Sequence, residues 1–427
     1  MGGTIADHFK VDLESGERIP LVEGLVRQMG ISPNGRWFLY FKDEVLVAHE
    51  LETGREVNLS AHAPVSFTSQ NHSHPNEVGT YAMAGWSADG ESVILNHRYD
   101  LWQVPVGGEG EAVNLTRGVG EAQGIVFRYH SEGRPSGEGV DLSGPLLLSA
   151  SGERTKEDGY WRLPPGGEPE PVIYEDARIG NVIRADSTDR VLFTRQTFTE
   201  FPDYWVTDDS FANPRRVSEA NPQISGFAWS PGRVLIDYTN ERGHELQGTL
   251  ALPAGYEPGE RYPMLVYFYE RMSNQHHSFH LPRYDDRPHV STYTSQGYLV
   301  LQPDIVYTMG QPGSSALDDL TASVEKVIEL GYADPDRIGL QGHSWGGYQS
   351  SFVVSRTDLF AAVVTGAPVT NLVSFYGELY ASSGNVQQGI TEAGQVRMGM
   401  GVTPWADPEL YRSQSPFTTS RGSRRPS

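Results

Sequence analysis

Seven residues constrain this chain more than any others: Gly342-His343-Ser344-Trp345-Gly346-Gly347-Tyr348. They follow the apolar run Ile338 to Leu340 and open a helix-compatible stretch from Gly347 to Ser355. G-x-S-x-G between a strand and a helix is a nucleophile elbow, a tight turn that exposes a serine hydroxyl at the end of a sheet. Glycines at 342 and 346 permit close strand and helix packing, and the helix dipole points at the hydroxyl. Ser344 is the candidate nucleophile, and the backbone N–H of Trp345 lies where an oxyanion would form.

The flanking sequence supplies an α/β sheet for that turn. Val234 to Tyr238 and Leu246 to Leu252 predict a hairpin around Asn240-Glu241-Arg242-Gly243. Predicted strands follow over Met264–Tyr269, Tyr298–Gln302, Ile338–Leu340 and Ala361–Thr365, with helices over Ser315–Leu330 and Gly347–Ser355. That alternation is the pattern of a doubly wound, mostly parallel sheet.

The first half repeats itself. Ser32-Pro33-Asn34-Gly35 before Arg36–Tyr40 is echoed by Ser87-Ala88-Asp89-Gly90 before Glu91–Leu95, and Val57-Asn58-Leu59-Ser60 by Val113-Asn114-Leu115-Thr116. Both offsets are about 55 residues, so the similarity is in register. Tyr160-Trp161-Arg162-Leu163 and Tyr204-Trp205-Val206-Thr207 extend the series from Leu101-Trp102-Gln103-Val104. Units of that length with several short strands predict propeller blades, about four between residues 20 and 230. Residues 12–17 look like the turn of a preceding hairpin.

Composition narrows the partners. A net charge of −21 argues against nucleic acid and anionic membranes, and no apolar run approaches a membrane span. With no cysteine, disulfides and thiolate metal sites are excluded while the compartment stays open. His276 and His280 would share a helical face, but the segment reads as a loop, and no metal or cofactor site is assigned. Asn58-Leu59-Ser60, Asn71-His72-Ser73 and Asn114-Leu115-Thr116 match a glycosylation pattern that carries little weight without a secretory signal.

Three segments together closely resemble the prolyl oligopeptidase family: the elbow, then Asp358-Leu359-Phe360-Ala361-Ala362, then Gly366-Ala367-Pro368-Val369-Thr370-Asn371. The resemblance implies a serine peptidase with a β-propeller preceding an α/β-hydrolase domain. On this chain that means a partial propeller over residues 1–230, an incomplete hydrolase domain over 231–417 and an aberrant basic tail over 418–427. It implies that Ser344 forms an acyl-enzyme with a peptide substrate and that Tyr269 helps stabilise the oxyanion, with Tyr267 on the same strand face as the alternative. It also implies that Trp345, Val369, Leu372 and Phe375 line the pocket for the residue before the scissile bond. An esterase or acylaminoacyl hydrolase, and a non-catalytic peptide-binding scaffold, remain as alternatives. Oligomeric state is left open.

The chain departs from the family twice. Ile305-Val306-Tyr307 follows Asp304 where the broader family has an arginine-glycine turn, and no histidine follows Ser344. The fold supplies its triad in the order Ser, Asp or Glu, then His, so the expectation is a chain truncated at both ends and lacking its base. Histidines 276, 277, 280, 289 and 343 all lie before that position. Peptidase activity is therefore expected to be at most a trace, roughly 10³- to 10⁶-fold below an intact triad. Near-stoichiometric labelling of Ser344 at the rate of an intact triad would contradict this.

Overall fold

The computed structural model describes residues 5–25, 27–69, 79–131, 139–282, 288–392 and 399–418. The Asn71-His72-Ser73 pattern and the basic tail from residue 419 lie outside them. The chain opens with a hairpin of β1 (Ala6–Val11) and β2 (Arg18–Leu25). Four four-stranded antiparallel sheets follow, each a meander in chain order. The first holds β3 (Arg27–Ile31), β4 (Trp37–Lys42), β5 (Val45–Glu50) and β6 (Glu56–Asn58). The second holds β7 (Met83–Trp86), β8 (Ser92–Asn96), β9 (Leu101–Pro105) and β10 (Val113–Asn114). After the short helix α1 (Val119–Gln123) come β11 (Ile125–Tyr129), β12 (Leu146–Gly152), β13 (Asp158–Leu163) and β14 (Glu170–Glu175). The fourth sheet holds β15 (Arg178–Arg184), β16 (Arg190–Gln196), β17 (Asp203–Asp208) and β18 (Arg215–Arg216).

Strand alternation explains how these sheets stack. On β4, Trp37 and Leu39 join Trp86, Val93 and Leu95 in one core, while Phe38 and Tyr40 face Val22 and Leu25 of β2. On β8, Ile94 turns the other way and packs with Ile125, Phe127 and Leu148. On β12, Leu146 and Leu148 belong to that core, whereas Leu147 meets Ile179, Val191 and Phe193 of the fourth sheet. A central strand packed on both faces buries every residue, as β8 does, so polar alternation disappears there. Face-to-face stacking of such meanders is propeller architecture. The sequence repeat has a physical counterpart in its turns. Ser32 Oγ accepts from Trp37 N–H and Ser87 Oγ from Ser92 N–H, both at 2.9 Å. Asn34 Nδ2 then donates to Asp89 O at 3.0 Å, joining the two turns directly.

The second half forms a six-stranded sheet from β19 (Arg233–Thr239), β20 (Glu245–Ala251), β21 (Tyr262–Tyr267), β22 (Leu299–Pro303), β23 (Ala333–His343) and β24 (Ala362–Gly366). Its order is β19-β20-β22-β21-β23-β24. The first two pairings are antiparallel and the last three parallel. Helices α2 (Val290–Ser295), α3 (Pro312–Glu329), α4 (Trp345–Val354), α5 (Leu372–Tyr376), α6 (Gln388–Glu392) and α7 (Pro408–Gln414) accompany it. On β22, Leu299 and Leu301 face the core beneath α3 and α4, and Val300 faces Val290 of α2, so both sheet faces are covered. Several boundaries differ from the sequence expectation, two of them for clear local reasons. β23 starts at Ala333 because Asp334-Pro335-Asp336-Arg337 hides strand pairing behind polar residues, and α3 starts at Pro312, which suits the first helical turn.

One buried ion pair locks the sheet edge to α3. Arg242, in the β19–β20 turn, reaches Asp318 Oδ2 through Nε and Asp319 Oδ1 through Nη2, each at 2.7 Å. Its other donors meet Thr308 Oγ1 at 2.9 Å and Val306 O at 3.0 Å. Asp319 is fully buried, and it also accepts from Asn240 Nδ2 at 2.6 Å and Val306 N–H at 2.7 Å. Burial raises its carboxyl pKa above the usual range despite these partners. Arg242→Ala leaves that carboxylate without its counter-charge and is expected to cost about 3–5 kcal/mol in urea unfolding. A midpoint unchanged from the parent would refute the clasp.

Candidate active site

At the end of β23 the chain turns through Ser344 with φ 56° and ψ −113°. That conformation is strained for a residue with a Cβ. It persists because the turn is held on both sides. Ser344 N–H donates to Gly366 O at 2.9 Å, and Tyr348 N–H donates to Ser344 O at 3.0 Å. The glycines are needed for space. A Cβ on Gly342 would lie 2.0 Å from Gly346 O, and one on Gly347 would lie 2.3 Å from Gly366 O. The result is an exposed Ser344 at the N-cap of α4, between buried Gly342 and Trp345.

Ser344 borders a cavity of about 680 Å³. Tyr267 and Tyr269 form one wall, with Met272, Gln275, Phe279 and Leu281 from the loop that follows. Both tyrosines weighed from the sequence therefore reach the site. β21 stops at Tyr267, so Tyr269 stands in the loop rather than in the strand, half-buried beside Gly346. Three imidazoles, His280, His289 and His343, complete the lining with Gln302, Pro288 and Val290. His276 and His277 turn away toward the N-terminal sheets instead, where His277 meets Asp176.

The segment where the sequence departs from the family holds Tyr269 in position. Tyr307 Oη donates to Tyr269 O at 3.0 Å and accepts from Gln349 Nε2 at 2.6 Å. Ile305 N–H donates to Glu270 O at 2.9 Å. Asp304 accepts from Ser273 N–H at 2.8 Å and Ser273 Oγ at 2.7 Å. Burial pushes its carboxyl pKa upward against these two bonds. Sequence reasoning treated Ile305-Val306-Tyr307 as a deviation and missed its role; a hydrogen-bonding tyrosine in an otherwise apolar turn was the available signal.

Trp345, Val369, Leu372 and Phe375, the residues expected to line the substrate pocket, lie in or against the hydrophobic core. Leu372 and Phe375 are buried in the hydrophobic core, and Val369 packs against that core from a partly buried position. The Trp345 ring is buried there too and stacks on Tyr348 with centroids 4.5 Å apart. Asn371 caps α5 by accepting from Val373 and Ser374 N–H, and Leu372 N–H donates to Ser415 Oγ at 2.9 Å. That docking turns the apolar side of α5 inward, so other residues wall the cavity. The backbone N–H of Trp345 stands at the first position of α4, next to Ser344.

Stacked meanders ahead of a mixed α/β sheet with a serine elbow are the build of a propeller-bearing α/β-hydrolase. Two solved structures share it: one from Bacteroides ovatus described as a dipeptidyl aminopeptidase IV, and a puromycin hydrolase. The first has a TM-score of 0.65 at 16% identity, over 99% of this chain and 62% of that one. The second has a TM-score of 0.59 at 18% identity, over 95% and 61%. Residues 288–419 match the prolyl oligopeptidase family model. The chain is 28% identical over 156 residues to the uncharacterized peptidase YuxL of Bacillus subtilis, covering 33% of this chain and 22% of that protein. Human dipeptidyl peptidase 8 is 29% identical over 164 residues, covering 34% and 18%. The matched region thus spans about a fifth of the length of these curated relatives.

Tyr307→Phe removes the hydroxyl that bridges Tyr269 O and Gln349. It is expected to lower unfolding free energy by about 1–3 kcal/mol, because two buried partners are stranded. Chemical denaturation of both proteins measures it, and equal stability would mean that the bridge contributes nothing.

Proposed function

We propose that the chain carries the acylation site of a serine-type peptidase, with Ser344 as nucleophile. In the proposed step Ser344 Oγ attacks the scissile carbonyl carbon, the C–N bond breaks, and the serine proton leaves on the departing amine. The Trp345 N–H and the Tyr269 hydroxyl stabilise the tetrahedral oxyanion, and the α4 dipole adds to their field. The observation that carries the reading is the strained, exposed Ser344 at a helix N-terminus, facing a cavity that Tyr269 shares.

On this reading the four stacked sheets over residues 27–216 act as a propeller wall, and residues 233–418 form the hydrolase unit. The substrates are peptides, in line with the names of the dipeptidyl peptidase relatives. His280, His289 and His343 are the imidazoles that line the cavity with Ser344 and are the candidates to assist it. An esterase uses the same elbow, so hydrolysis of aryl esters without peptides would favour that reading.

A fluorophosphonate probe with peptide mapping tests the assignment. A single adduct is expected on Ser344, absent in Ser344→Ala and at least about tenfold slower in Tyr269→Phe, since loss of one oxyanion donor costs 10²- to 10³-fold in well-studied cases. No adduct in a folded preparation that still binds peptides would favour a binding role instead.

A further inference from the structure

The loop after β21 crosses to the N-terminal sheets before it returns to the cavity. Arg178 Nη1 donates to Ser278 Oγ at 3.2 Å, and Phe279 N–H donates to Gln196 Oε1 at 3.0 Å. Between these contacts and the sheet, His276 and His277 come against Asp176, which lies in the link from β14 to β15. One ligand atom from each of the three lies within 4.8 Å of the others. Both imidazoles are held from behind. His276 Nδ1 lies 3.0 Å from Thr249 Oγ1 on β20, and the His277 ring hydrogen-bonds the backbone of Lys156.

His277 is 8% exposed, and its buried Nε2 makes no hydrogen bond among the described residues. That nitrogen faces Asp176 Oδ1 at 3.2 Å. A carboxylate only accepts, and an imidazole whose other nitrogen donates also presents a lone pair. Two lone pairs at that distance repel unless a positive centre lies between them.

We propose that Asp176, His276 and His277 form a binding site for a divalent transition metal ion. Two imidazoles and one carboxylate form a donor set suited to zinc rather than to calcium or magnesium, with a fourth position left for solvent. Outer partners on both rings match the way ligating histidines are usually oriented. Zinc with bonds of about 2.1 Å sets its ligands about 3.4 Å apart, so the site must contract around the ion. The Asp176 side chain is 79% exposed and has room to make that move. The nearby guanidinium of Arg195 is occupied by Glu175 and Glu200, which leaves the Asp176 carboxylate to the imidazoles. The same loop supplies Gln275, Phe279, His280 and Leu281 to the cavity wall, so the ion ties that wall to the third and fourth sheets.

The test uses the full chain stripped with chelator, titrated with zinc chloride by calorimetry and with cobalt chloride by visible absorption. One equivalent is expected, with the strong visible band of tetrahedral cobalt. Asp176→Asn, at an exposed position, is expected to weaken binding at least about tenfold, and His277→Gln to abolish it. Should His277→Gln fail to fold, Asp176→Asn decides the matter. Absence of a bound equivalent, or binding unchanged in Asp176→Asn, would overturn the proposal and leave a plain imidazolium–carboxylate pair.

Discussion

The guanidinium of Arg242 is the point from which the geometry of the cavity is set. It neutralises Asp318 and Asp319 on α3, and Asp319 in turn holds the N–H of Val306. One residue further, Tyr307 fixes the carbonyl of Tyr269. A hairpin turn at the sheet edge is thus connected through three polar contacts to the tyrosine beside Ser344. Buried charges help only when every partner is present, and here the carboxylate oxygens and guanidinium nitrogens are matched almost atom for atom. The clasp also explains the apolar residues Ile305 and Val306 in a turn, because their backbone groups, not their side chains, meet the polar partners.

Local order in the sequence made much of this legible. Periodicity located the strands of the six-stranded sheet and helices α3 and α4 but not the shorter helices, the repeat anticipated stacked meanders, and the elbow motif pointed to Ser344. Partners far apart in sequence were not legible. Arg242 meets Asp318 and Asp319 across 76 and 77 positions, and Asp176 meets His277 from an unremarkable acidic loop. Nor does apolarity say which way a side chain turns. Leu372 and Phe375 satisfy the requirement for an apolar pocket and for a core equally well, and the capping of α5 by Asn371 sends them to the core. Tyr267 and Tyr269 could not be separated by alternation because residues two apart share a strand face, and the strand's end at Tyr267 was not visible in the pattern.

A nucleophile elbow constrains a reaction more tightly than it constrains a substrate. The elbow, its glycines and the tyrosine wall suit attack on a carbonyl carbon. Loop residues, Phe279, Leu281 and Pro288 among them, line the cavity beside Val290 of α2 and Gln302 of β22, and loop positions vary most freely between proteins of one fold. The described part of the loop between β21 and α2 thus supplies much of the wall beside Ser344.

Among the described residues the stacked meanders share their apolar cores with immediate neighbours: Trp37 with Val93, Ile94 with Phe127, Leu147 with Phe193. Stability in such an array behaves as a chain of coupled links, and disorder enters at whichever end is least supported. The loop contacts from Arg178 and Gln196 brace the fourth sheet against the hydrolase unit. Strain placed on one meander is then handed from sheet to sheet, and it reaches the surroundings of Ser344 through the fourth sheet and that loop.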